Sequence, residues 1–196
     1  MDSRLLGIGL GLSAWVWAVL GLIAGDGGRP LLVRLTVTAL NVTVGTLFLV
    51  RRSASRGPGA RQILAALPSM IVAAAALRFA PDEWTGVSQL LFCAGGAFAV
   101  LALATLGRSF ALLPAVRGVV TTGPFRVVRH PVYAGELAMI VATGLARGPW
   151  WAAALGAVST LLLVPRIRAE EALLGTTVEY RAYAAAVPDR LVPHVW

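Results

Sequence analysis

The sequence predicts an all-α integral membrane protein, and three observations predict it. Of 196 residues, 58% are hydrophobic and 13% charged, against roughly 45 to 50% apolar in soluble domains. Apolar runs of about 20 residues recur, the length that crosses about 30 Å of hydrocarbon at about 1.5 Å per residue. Basic residues gather in alternate connections between those runs.

Four runs have the spanning length: Leu5 to Ala24, Pro30 to Val50, Gln62 to Ala80 and Gly86 to Leu106. Two shorter ones follow, Val132 to Ala146 and Pro149 to Pro165, and Arg147 and Gly148 between them suit a tight helical hairpin. The expectation is about six transmembrane helices in one membrane domain, 1–196, with four helices in 1–106 and the polar stretch, hairpin and tail in 107–196. The tail from Arg166 is too short to bury a core of its own. Ile167, Leu174, Val178 and Ala185 fall on one helical face, so it reads as an amphipathic C-terminal helix extending the last span. Gly175-Thr176-Thr177 weakens its middle. Pro188 and Pro193 end it and leave a strap from Arg190 to Trp196, which can become ordered by packing back on the polar stretch.

The formal charge of +8 would favour nucleic acid in a soluble protein, but the placement of the arginines explains it otherwise. The chain has no lysine. Four arginines lie between Arg51 and Arg61; Arg108, Arg117, Arg126 and Arg129 lie in the polar stretch; Arg166 and Arg168 begin the tail. The alternate connections carry only Asp26 and Arg29, Asp82 and Glu83, and Arg147. The positive-inside rule then puts both termini, the Arg51 to Arg61 loop and the polar stretch in the cytoplasm, with the chain in the cell's inner membrane. Trp84, Trp150 and Trp151 fall at the outer boundary, where indole rings are favoured. No nucleic-acid partner is expected. Cys93 stands alone, so no intrachain disulfide holds the fold, and two histidines with one cysteine give no basis for a metal site. The first run lacks an Ala-x-Ala-like cleavage signal and reads as a retained span.

Gly7, Gly9 and Gly11 lie inside a span with no preceding strand, so they read as small residues for close helix packing rather than a nucleotide loop. Arg34 and Arg78 sit near the outer ends of their helices, where they can snorkel, Arg78 towards Asp82.

The segment from Val120 to Glu136 concentrates the chemistry-bearing residues. Gly123-Pro124 turns the chain, and Pro131 disfavours helix at His130, so Arg129 and His130 sit on irregular backbone directly before a span. Arg126 and Arg129 can equally be topological anchors and His130 a cap. Glu136 lies about 7 to 8 Å into the span at the helical rise, where an ionisable group needs a partner or a pocket. Tyr133 is one turn before it. Glu170 and Glu171 follow the last span on the same side. Glu170 can pair with Arg166 one turn back, or a carboxylate there can accept two hydroxyl hydrogen bonds from a ribose.

A set of ordered blocks carries a resemblance: Leu106-Gly107-Arg108-Ser109-Phe110; Val120-Thr121-Thr122-Gly123-Pro124-Phe125-Arg126; Arg129-His130-Pro131-Val132-Tyr133-Ala134-Gly135; Glu170-Glu171; Tyr180-Arg181-Ala182-Tyr183; and Val187-Pro188. Together they resemble the isoprenylcysteine carboxyl methyltransferase and phospholipid methyltransferase family over about Leu106 to Pro193. The resemblance implies an integral membrane methyltransferase using S-adenosylmethionine, bound on the cytoplasmic side by Arg129, His130, Pro131, Tyr133, Gly135 and Glu170 or Glu171, with Arg108 near the substrate side. Thr176 and Thr177 replace a usual Phe-Gly or Leu-Gly pair, and Asp189 interrupts a usual Val-Pro-Arg run.

Methyl transfer from a sulfonium needs alignment and water exclusion more than strong acid–base help. An anionic acceptor could be held by Arg108 or Arg129; an amine acceptor makes Glu136 or His130 a base candidate. The lipophilic acceptor is expected to enter from the lipid. A second reading is an NADPH-dependent membrane reductase, since Gly135-Glu136 is similar to the end of a motif in steroid 5α-reductase-like proteins, although Val132 stands where those have asparagine. A third is a non-enzymatic membrane scaffold.

Overall fold

The computed structural model describes residues 3–23 and 28–196; Ala24 and Asp26 lie outside the described residues. Among these it is helical. The elements are α1 (Ser3–Ile23), α2 (Leu31–Val50), α3 (Ala60–Arg78), α4 (Gly86–Leu106), α5 (Pro131–Arg147), α6 (Pro149–Leu174) and α7 (Val178–Ala186), with 3-10 turns at Gly107–Ser109 and Gly123–Arg126. One isolated antiparallel bridge joins Arg56 and Val116.

Among the described residues, four helices are long and apolar enough to cross a membrane: α2, α3, α6 and the run Gly86–Ser109 that contains α4. The apolar part of α1 runs over Gly7–Ile23. At 17 residues, α5 measures about 26 Å, slightly short of the hydrocarbon thickness.

The helix ends follow from local chemistry. Thr85 caps α4 by accepting from the Ser88 backbone N–H, satisfying one of the first-turn donors that a helix leaves open. Gln62 reaches back to the Gly59 backbone N–H at the start of α3. Pro131 and Pro149 begin α5 and α6, where a missing N–H costs nothing. Gly148, at φ 128°, makes the sharp corner between them that an L side chain resists. The expected hairpin is present.

Small residues let the helices approach. A Cβ on Gly11 would lie 3.0 Å from the Gly45 carbonyl oxygen, so of the three glycines expected to pack only Gly11 brings α1 and α2 together; Gly7 meets the Arg51 side chain and Gly9 has nothing within 4 Å. A Cβ on Gly135 would lie 2.6 Å from the Gly95 carbonyl oxygen, which locks α5 against α4. Arg34 caps the C-terminus of α1, donating to the Gly21 and Leu22 carbonyls at 3.3 and 2.5 Å. Those carbonyls are open acceptors at the negative end of the helix dipole, so they outcompete the solvent that snorkelling would reach. Arg78 lies over the Phe79 ring, not on Asp82.

The polar segments meet at one end of the bundle. The Arg52 backbone N–H donates to the Arg108 carbonyl, Ser55 to Val116, Arg129 to Asp189 and His130 to Arg190. At the other end Arg29 donates to the Arg78 carbonyl and Arg147 to that of Phe79.

The tail departs from the predicted face. Val178 is 68% exposed, whereas Tyr180 and Tyr183 are buried against Ala102 and Phe125. The turn at Gly175 to Thr177 ends α6, and a new helix begins with Thr177 as its cap. That break resets the helical phase, so residues before and after it cannot share one continuous stripe.

Candidate functional site

The site is built where α5 enters the bundle. Gly123, at φ 55°, starts the 3-10 turn that buries Phe125, and the chain then runs through Arg129 and His130 into Pro131. Both N–H groups before the proline are satisfied by the strap, Arg129 by Asp189 and His130 by Arg190, each at 2.9 Å. That pairing is why the expected irregular backbone is fixed.

Glu171 ties the loop to the tail. Its carboxylate accepts from Arg129 Nε at 2.8 Å and Arg190 Nε at 2.9 Å, and it lies 3.2 Å from His130 Nε2. Arg129 also donates through Nη1 to the Val187 and Pro188 carbonyls at 2.7 and 2.9 Å and to Ala184 at 3.4 Å, capping the C-terminus of α7 as a cation can. Arg129 Nε and Nη1 are therefore both engaged within the protein.

Glu170, one residue earlier, turns into a cavity of about 330 Å³. The Tyr133 hydroxyl donates to its Oε2 at 2.5 Å. The Tyr133 ring has two neighbours, His130 stacked 5.4 Å away at 4° and the Arg166 guanidinium 4.4 Å from its centroid on a cation–π contact. Arg166 also lies 3.8 Å from Glu136 and donates to Ser69 Oγ of α3 at 3.2 Å. The half-buried Glu136 thus finds its partner in an arginine that the sequence presented as a topological marker, and Arg166 pairs with Glu136 rather than Glu170. The signal was present: Arg166 precedes Glu170 by four residues, so both lie on one face of α6.

Apolar side chains complete the cavity, among them Val44, Met70, Leu103, Leu106, Phe110 and Leu112. Tyr180 and Tyr183 close it from α7. Tyr183 donates to the Phe125 carbonyl at 2.8 Å. Burial pushes its phenol up to about 12 against the pull of Arg129, and burial with the charge of Glu171 raises that of Tyr180 further. Both remain proton donors at neutral pH. Two buried cavity atoms, Tyr180 Oη and Arg166 Nε, have no partner among the described residues. Buried polar groups are nearly always paired, so they point to a ligand.

Of the residues singled out in the sequence, Arg129, His130, Pro131, Tyr133, Glu136 and Glu170 line this cavity. Glu171 stands behind its wall. Gly135 faces α4, and Arg108 is exposed, donating to the Val50 carbonyl at 3.3 Å. Arg166, Tyr180, Tyr183 and Ser69 join the site without having been singled out as site residues. No cluster that could hold a metal ion occurs among the described residues.

Residues 84–178 match the family model described as Phospholipid methyltransferase. Over that segment the chain is similar to the phospholipid methyltransferase family. No curated protein matches it. The matched segment contains α4, the polar stretch, α5 and α6, the walls of the cavity, and begins earlier than the Leu106 from which the resemblance was read. It favours the methyltransferase reading over the reductase and scaffold readings. The match and the four apolar helices together point towards a membrane methyltransferase.

Proposed function

We propose that the chain is an S-adenosylmethionine-dependent methyltransferase whose cavity, facing the cytoplasm, joins cofactor and lipophilic acceptor. The observation that carries this reading is the convergence, in one family-matched cavity, of a ligand-facing carboxylate, an aromatic stack and unpaired buried donors. Its volume lies at the lower end of the roughly 300 to 1,000 Å³ of small-molecule sites.

The residues fit the group. Glu170 has hydrogen-bond capacity beyond Tyr133 for a ribose diol, Tyr180 and Arg166 carry free donors for polar ends, and the His130–Tyr133 stack offers a flat surface. The bound cofactor supplies a sulfonium-activated methyl group. The protein then orients the acceptor and excludes water. Arg166 can hold an anionic acceptor by charge-assisted hydrogen bonds. Glu136 can take the proton if the acceptor is an amine. Arg129 acts through position, since it fixes the loop and α7. The apolar lining suits a hydrocarbon chain entering from the lipid.

Calorimetry of purified protein with S-adenosylhomocysteine tests the reading. Saturable binding is expected, and incubation with methyl-labelled cofactor and membrane lipids should give a labelled lipid-soluble product. Absence of binding to a folded sample would overturn the proposal.

A further inference from the structure

A second cluster of charge lies outside the methyl-transfer site. The Arg51 to Arg61 loop pairs with the stretch after α4 through Arg52 to Arg108 and through the Arg56–Val116 bridge. Neither 51–61 nor 107–130 contains a single aspartate or glutamate. The arginines brought together there consequently have no carboxylate from either segment.

Three of them converge. Arg117 donates through Nη1 to the Arg52 carbonyl, while its buried Nε has no partner. The Arg51 guanidinium lies over Phe48, 4.7 Å from the ring centroid. Burial, joined by the nearby charge of Arg51, lowers the pKa of Arg117, and burial alone lowers that of Arg51. Guanidinium groups stay ionised in proteins, so the repulsion between them persists until an anion offsets it.

Gly118 gives this cluster a concave floor. Its φ of 131° belongs to the region glycine tolerates. A Cβ there would stand 3.3 Å from Ser109 Oγ and 3.9 Å from an Arg52 guanidinium nitrogen. A hydroxyl and a guanidinium thus face one small space. Gly118 also lines the large cavity, so whatever binds among the arginines sits at that cavity's mouth.

We infer that Arg51, Arg52, Arg117 and Ser109 form a binding site for the phosphate group of an anionic lipid, separate from the residues that would carry methyl transfer. Phosphate matches the planar fork of arginine and accepts several hydrogen bonds at once. Lipid is the favoured source because basic segments beside spans meet anionic headgroups directly, and because the adjoining cavity wall is apolar.

Native mass spectrometry of the whole protein in an uncharged detergent tests the site, with phosphatidylglycerol, phosphatidylcholine and inorganic phosphate as separate probes. Phosphatidylglycerol should be retained saturably and at least ten-fold more tightly than phosphatidylcholine. Arg52→Gln with Arg117→Gln should reduce that retention about ten-fold or more. Arg61→Gln with Arg126→Gln, an equal loss of charge at the same end, should change it less than two-fold. Arg51→Gln removes no side-chain hydrogen bond to the backbone and should weaken retention several-fold if the double variant does not fold. Competition by millimolar phosphate would support recognition of the phosphate group itself. Equal losses in both double variants would overturn the proposal in favour of diffuse attraction, as would tight binding of phosphate without preference for the anionic lipid. These readouts do not involve S-adenosylhomocysteine, so the site can fail or stand independently of methyl transfer.

Discussion

Two neighbouring carboxylates, Glu170 and Glu171, divide the end of α6 into regions of opposite character. On the Glu171 side one carboxylate is surrounded by Arg129, Arg190 and His130, and Arg129 Nη1 caps α7. On the Glu170 side the cavity retains unpaired buried atoms on Tyr180 and Arg166. A saturated network stabilises a fold, whereas one with spare donors has capacity for a ligand. The contrast separates structure from function within two adjacent residues.

Substitution on the saturated side should give the largest effect. Glu171→Ala leaves Arg129 and Arg190 without their shared anion, and removing one partner of a buried ion pair costs about 3 to 5 kcal/mol. Thermal unfolding in detergent should show a large drop in midpoint; a midpoint matching the parent would mean that the strap is held by something else. Glu170→Gln should leave unfolding nearly unchanged and weaken S-adenosylhomocysteine binding roughly 10- to 150-fold, the loss of about 1.5 to 3 kcal/mol from hydrogen bonds to a charged group. Normal affinity in that variant would remove Glu170 from the proposed site.

Tyr180→Phe is a smaller test. Its hydroxyl has no partner among the described residues, so stability should stay within about 0.5 kcal/mol, while affinity should fall about five-fold through the loss of roughly 1 kcal/mol. A drop in stability instead would place Tyr180 on the structural side of the comparison. Arg108→Ala should have the least effect, within about 0.5 kcal/mol on unfolding and none on cofactor affinity, since its side chain is exposed. A large loss of turnover there would restore it as a substrate-contacting residue.

The sequence made the helices legible because apolar length and proline positions act locally. The predicted and observed limits of α4 coincide, and those of α2 and α5 differ by a single residue at the altered ends. Glu136 was legible because an ionisable residue inside a span demands explanation, Tyr133 because it lies one turn before it, and His130 because Pro131 forces irregular backbone at the mouth of the span. Arg166 escaped that argument, since an arginine at a span's end already has a topological explanation. The exposed face of α7 was misplaced because the break at Gly175 to Thr177 shifts the phase, and no periodicity survives a reset. Ser69 carries no signal at all: it meets Arg166 across 97 residues, a contact only the packing of α3 on α6 creates.

The cap that Arg129 places on α7 also sets an order of events during translation. Its backbone acceptor at Pro188 follows it by 59 residues. At about 5 to 20 residues per second, the ribosome delivers that acceptor roughly 3 to 12 s later. Until Glu171 has been made, 42 residues after Arg129, the membrane insertion machinery must handle an arginine and a histidine without that shared carboxylate, and the cap on α7 comes later still. The methyl-transfer cavity is thus one of the last parts of the molecule to become complete.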